Sequence, residues 1–128
     1  MQGVKGQPVA DHVYDKREQW DQIASGLLEG EDIIAVYDAV GAGTGFIGLT
    51  NRRVIVQDRS FAGKQVALTS IPYSRVSAVA VLSNKSWAGN FFSTSAIAIQ
   101  ATGNTYQVEF RGNEKAHHAH NVILSHIT

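Results

Sequence analysis

Hydrophobic positions along the chain recur first at a helical period and then at a period of two. Over residues 12–28, Val13, Trp20, Ile23, Ala24, Leu27 and Leu28 fall near one helical face, while Asp15, Lys16, Glu18, Gln19 and Gln22 fall on the other. Asp11 is placed to cap that helix and Gly30 to stop it, which predicts an amphipathic helix over residues 12–29. Residues 1–11 mix Gly and Pro with polar residues and read as a flexible arm.

Beyond Gly30 the signals are those of short strands. Residues 32–40 are rich in β-branched and aromatic residues, and the glycine-rich stretch 41–45 turns the chain. Residues 46–50 and 53–58 form strands around Asn51 and Arg52. After a hairpin through Gly63, residues 65–71 alternate Val66 and Leu68 against polar neighbours. Pro72, which lacks an amide hydrogen, ends that strand. Residues 76–82 follow, then an ordered loop over 83–93 anchored by Trp87, Phe91 and Phe92. Strands 96–101 and 105–111 are joined through Gly103 and Asn104, with Tyr106, Val108 and Phe110 alternating against Gln107 and Glu109. Asn113 caps a terminal helix with Glu114 at its positive end and a stripe of Ala116, Ala119, Ile123 and Ile127. The expected fold is mostly β (α+β): seven antiparallel strands bent into a barrel, a C-terminal helix plugging its open end, and an extra N-terminal helix.

With 128 residues the chain is long enough for one core. Its 44% hydrophobic and 17% charged content is ordinary for a globular domain. Eleven basic and eleven acidic residues give zero formal charge and no basic field for nucleic acid. The absence of cysteine removes disulfides, thiolate metal sites and cysteine nucleophiles. No secretory signal is visible in residues 1–14 and no run reaches the length of a membrane span, so the expected location is cytoplasmic.

Three segments carry a resemblance. Leu49, Thr50, Asn51, Arg52 and Arg53, then Gly63 and Lys64, then Ser70, Ile71, Pro72, Tyr73, Ser74, Arg75 and Val76 resemble the signature of the bacterial pleckstrin-homology-like family. The likeness covers about residues 30–127, which places the family domain at 30–128 and the N-terminal helix outside it. It implies the barrel with its capping helix, and a bacterial protein that presents surfaces to protein partners or to its own copies. It also implies a phosphoinositide site built from Lys and Arg in the loop between the first two strands. Here that loop, residues 41–45, carries no charge, and multivalent phosphate recognition rests on such cations.

Other candidate chemistry thins out on inspection. Gly43, Gly45 and Gly48 spell G-x-G-x-x-G, but the string runs into a strand, whereas dinucleotide binding needs a helix N-terminus there. His117 and His120, with Glu114 one turn earlier, can be drawn as a three-ligand metal set. The competing reading is a solvated face opposite the apolar stripe. Ser70, Ser74 or Ser77 with a histidine and Asp58 lacks a nucleophile elbow. The expected function is therefore non-catalytic binding or assembly, with no cofactor and no metal. Two partner surfaces are expected: one on the N-terminal helix at Trp20, Ile23 and Leu27, the other on the loop at Trp87, Phe91 and Phe92. The alternative is a peripheral module binding anionic phospholipid through Arg52, Arg53, Arg59, Lys64 and Arg75. A third reading is a metal-dependent enzyme using the C-terminal histidines.

Overall fold

The computed structural model describes residues 13–41, 44–58, 66–82 and 94–128. Helix α1 (Arg17–Ala24) leads into strands β1 (Ile33–Asp38), β2 (Thr44–Thr50), β3 (Arg53–Asp58) and β4 (Ala67–Pro72). A 3-10 turn (Tyr73–Arg75) passes to β5 (Val76–Leu82), β6 (Thr94–Ala101) and β7 (Asn104–Arg111), and helix α2 (Asn113–Ile127) closes the chain. The strands form two antiparallel meanders, β1-β2-β3-β4 and β5-β6-β7. The seven strands are thus as expected, but the two sheets do not close into a barrel. Among the described residues they meet at an isolated bridge, where the Val40 amide donates to the Glu109 carbonyl at 2.8 Å.

The main core lies between the sheets and under α2. Ile47, Leu49, Val54, Ile97, Ile99, Val108 and Phe110 are all fully enclosed, and so are Ala116, Ala119 and Ile123 of the predicted helical stripe. Small residues at two of those helix positions let α2 sit close to the sheet. The β6–β7 turn falls one residue earlier than expected: Ala101 pairs with Asn104, leaving Thr102 and Gly103 as a two-residue loop. Both have positive φ, 49° and 84°, the type I′ geometry that matches strand twist and that glycine adopts without strain. Helix α2 has Gly112, not Asn113, at its N-cap and no side-chain cap.

The parity of β4 is inverted relative to the alternation read from Val66 and Leu68. Val54 pairs with Ile71 and Val56 with Thr69, which puts Thr69 and Ile71 on the core side and Leu68 and Ser70 outside. Val66 and Leu68 are accordingly 56% and 48% exposed.

Helix α1 is shorter than the span 12–29. Residues 13–15 are extended: Tyr14 bridges Val36 in parallel, with the Val36 amide donating to the Val13 carbonyl (2.9 Å) and the Asp15 amide to the Val36 carbonyl (3.1 Å). Backbone pairing to an available sheet edge outcompetes a further turn of helix there. The helix ends at Ser25, whose hydroxyl donates to the Gln22 carbonyl (2.9 Å). Its inward face therefore runs through Gln19 and Ile23, both buried, while Val13, Ala24 and Leu28 are exposed. Ile23 joins Val36, Phe46 and Ile55 in a second core on the outer face of the first sheet, with Tyr14, Trp20, Leu27 and Ile33 half-buried around it. Gly48 makes this possible: a Cβ there would stand 2.8 Å from Ile23 Cδ1.

Candidate functional site

The signature residues converge on one corner of the first sheet, and they bond to one another. Glu31, on the loop between α1 and β1, has a side chain with no solvent exposure. Arg53 at the start of β3 meets it bidentately, Nε to Oε2 at 2.8 Å and Nη2 to Oε1 at 3.0 Å. The Leu28 amide donates to Oε1 (2.8 Å) and the Thr50 hydroxyl to Oε2 (2.7 Å), so both carboxylate oxygens are fully used. A buried charge is tolerable only with such a complete set of partners. The arrangement, led by the Arg53 hydrogen bond, holds the Glu31 carboxyl down at about 2.

The remaining Arg53 N–H groups brace the corner. Nη1 donates to the Ser70 hydroxyl on β4 (2.8 Å) and Nη2 to the Gly26 carbonyl after α1 (2.9 Å). Thr50 Oγ accepts the Arg52 and Arg53 amides, both at 3.0 Å, which makes the tight β2–β3 turn. Asn51 clasps the chain entering β1: its Oδ1 accepts the Asp32 amide (2.8 Å) and its backbone N–H donates to the Asp32 carbonyl (3.0 Å). Tyr73 donates its hydroxyl to the Thr50 carbonyl (2.6 Å) and stacks on His126 of α2, with ring centroids 4.5 Å apart. Burial, with the Glu31 charge nearby, raises the Tyr73 phenol well above its ordinary value and keeps it a donor. The Thr-Asn-Arg-Arg and Ser-Ile-Pro-Tyr segments thus form a polar brace joining α1, β2, β3, β4 and α2.

The expected basic rim is reduced by this. Arg53 is committed to the brace, whereas Arg52 and Arg75 are exposed, their side chains making no hydrogen bond or ion pair among the described residues. Arg59 and Lys64 lie outside the described residues, as do Trp87, Phe91 and Phe92 of the expected aromatic surface. On the N-terminal helix, Ile23 is 2% exposed and faces the sheet, leaving Trp20 and Leu27 half-buried at its margin. The expected helix surface is therefore largely spent inside the fold. Ser70 accepts from Arg53 and Ser77 donates to the Gln100 carbonyl (3.2 Å). Gly45 and Gly48 of the glycine string lie in β2, as its flanking residues indicated, and Gly43 lies outside the described residues.

The histidines of α2 have separate tasks. His118 Nδ1 pairs with the Tyr37 hydroxyl at 2.7 Å, and His126 lies on Tyr73. His120 Nδ1 contacts Asn121 Oδ1 (3.0 Å), and His117 is exposed. Among the described residues, no three His, Asp or Glu side chains come together as a metal site.

What the geometry leaves open is a pair of strand edges. β4 and β5 end their sheets, and among the described residues neither outer edge is paired. Val66 just before β4, Leu68 on β4 and Leu82 on β5 are exposed large apolar side chains. Nothing in the sequence pattern pointed to them as surface residues, because alternation alone does not say which parity faces the core.

Comparison with known proteins fits this architecture. A crystal structure described as a pleckstrin homology domain from Shewanella amazonensis SB2B superposes with a TM-score of 0.62 at 18% identity, over 89% of this chain and 100% of that one. A DUF1696 family protein with a pleckstrin-homology domain from Shewanella loihica PV-4 gives 0.62 at 14% identity, over 89% and 94%. Likeness at that identity shows a shared fold. A comparison with curated proteins finds no match. The family model for the Bacterial PH domain matches residues 10–127, which takes in α1 as well as both sheets and α2. The chain belongs to the bacterial PH domain family.

Proposed function

We propose that this domain is a non-catalytic binding and assembly module acting through protein–protein contacts, foremost with copies of itself. The observation that carries the reading is the outer edge of β4, unpaired among the described residues, with Val66 and Leu68 there at 56% and 48% exposure. Unpaired edge amides beside apolar side chains are a template for pairing with another chain. Zero net charge lowers the electrostatic repulsion between copies. Of the serines considered as nucleophiles, Ser70 is engaged in the brace, accepting from Arg53. No helix among the described residues is long and apolar enough to cross a membrane, and our reading places the module in the cytoplasm.

Exposed Arg52 and Arg75 favour one other reading, attraction to anionic phospholipid. Native mass spectrometry of the untagged protein separates the two. A defined homo-oligomer without adducts supports assembly, and a monomer carrying lipid mass overturns it in favour of the lipid reading. Salt adds a second arm: an apolar contact survives high ionic strength, whereas attraction through scattered cations is screened.

A further inference from the structure

The β1 edge is closed by the chain itself, and the closure rests on one carboxylate. In a continued parallel ladder the Asp38 amide would be met by the Asp15 carbonyl, two residues on from the Val13 carbonyl that takes Val36. Instead the Asp15 side chain turns in and its Oδ2 accepts the Asp38 amide at 2.9 Å. Its other oxygen, Oδ1, meets the Lys115 ammonium of α2 at 3.0 Å, with both side chains more than two-thirds shielded. Asp15 therefore ties the N-terminal segment to β1 and α2 at once. The neighbouring polar groups complete the clasp: Gln19 Nε2 donates to Asp38 Oδ1 (2.7 Å), and the Lys16 ammonium stands 3.5 Å from the same oxygen.

Little apolar burial holds this segment. Val13 is 37% exposed and Tyr14 only half-buried against Trp20, in contrast to Ile23, which anchors α1 in the gap above Gly48. Segments held by a few hydrogen bonds and little buried area open locally, without global unfolding.

We infer that residues 13–15 form a strap latched by Asp15, sealing the β1 edge in cis against an extended segment of matching chemistry. Opening the strap uncovers the Val36 and Asp38 amides and the Val36 carbonyl. The strand they would accept runs parallel to β1 and carries an aromatic residue followed by a carboxylate, as Tyr14 and Asp15 do. This inference is independent of the β4 edge.

The test is amide hydrogen exchange in the native protein, comparing Asp15→Ala with wild type and with Asp15→Asn. Loss of the latch speeds exchange at Val36 and Asp38 by roughly ten- to hundredfold, the equilibrium factor of one charge-assisted hydrogen bond. Val54 and Ile97, in the core, report global stability and stay unchanged. Asp15→Asn keeps an acceptor for Asp38 but loses the ion pair with Lys115, and falls between the two. A synthetic peptide copying residues 10–16 slows exchange at Val36 in Asp15→Ala and leaves wild type unaffected. Unchanged exchange at Val36 and Asp38, an acceleration shared equally by Val54 and Ile97, or a peptide without effect on Asp15→Ala would each overturn the proposal.

Discussion

The first sheet ends in two edges that are treated in opposite ways. At β1 every outward amide from Val36 to Val40 has an acceptor within the chain: the Val13 carbonyl, the Asp15 carboxylate and the Glu109 carbonyl. At β4 the outward edge pairs with nothing among the described residues, and Val66 and Leu68 stand half exposed beside it. An edge is a liability that a monomer blunts with charge, bulges or cover. The polar closure of β1 and the apolar opening of β4 in one sheet are the contrast on which the proposed assembly at the second edge rests. The Arg53 guanidinium links the two sides, reaching Gly26 after α1 with one group and Ser70 on β4 with another.

That link gives the largest way to break the contrast. Glu31→Ala leaves the Arg53 charge short of its partner at the corner and is expected to cost about 3–5 kcal/mol, read by denaturant unfolding. Both edges loosen together, because the brace is common to them. Next comes Gly48→Val, which drives side-chain atoms into the space of Ile23 and costs about 1–3 kcal/mol. Its effect is one-sided: exchange at Val36 quickens more than at Ile71, since α1 and the strap belong to the β1 side.

Acid sharpens the same point. Glu31 titrates near 2 in the folded chain against an ordinary value of 4.5, so its contribution is complete above about pH 4.5 and fades as pH falls toward 2. Thermal melting of wild type should lose stability across that window, and Glu31→Gln, already weakened, should lose less. The smallest effect on stability is expected from Leu68→Lys, within about 0.5 kcal/mol, because the side chain already faces solvent.

Much of the fold is legible in the sequence where period and punctuation agree. The boundaries of β3 and β5 match the residues expected, and the Ala116, Ala119 and Ile123 stripe is buried as its spacing implied. Three features were hidden for identifiable reasons. The parity of β4 depends on its register with Val54 and Val56, a tertiary fact absent from alternation. Residues 13–15 have helical spacing but meet a sheet edge that offers backbone partners. Arg53 looks like one cation in a row of five, and only the fold brings Glu31, 22 residues away in sequence, under it. The signature's wording identified the family, while its role as a brace required the geometry. A Glu shortly before the first strand and an Arg at the start of the third would have been the available clue.

The central claim is that the β4 edge is an assembly surface, and sedimentation velocity of wild type beside Leu68→Lys across a wide concentration range tests it most directly. The account predicts a defined oligomer for wild type and a monomer for Leu68→Lys, the two melting at nearly the same temperature when both are dilute enough to be monomeric. A wild type that stays monomeric at every concentration, or a Leu68→Lys variant that assembles like wild type, would contradict it.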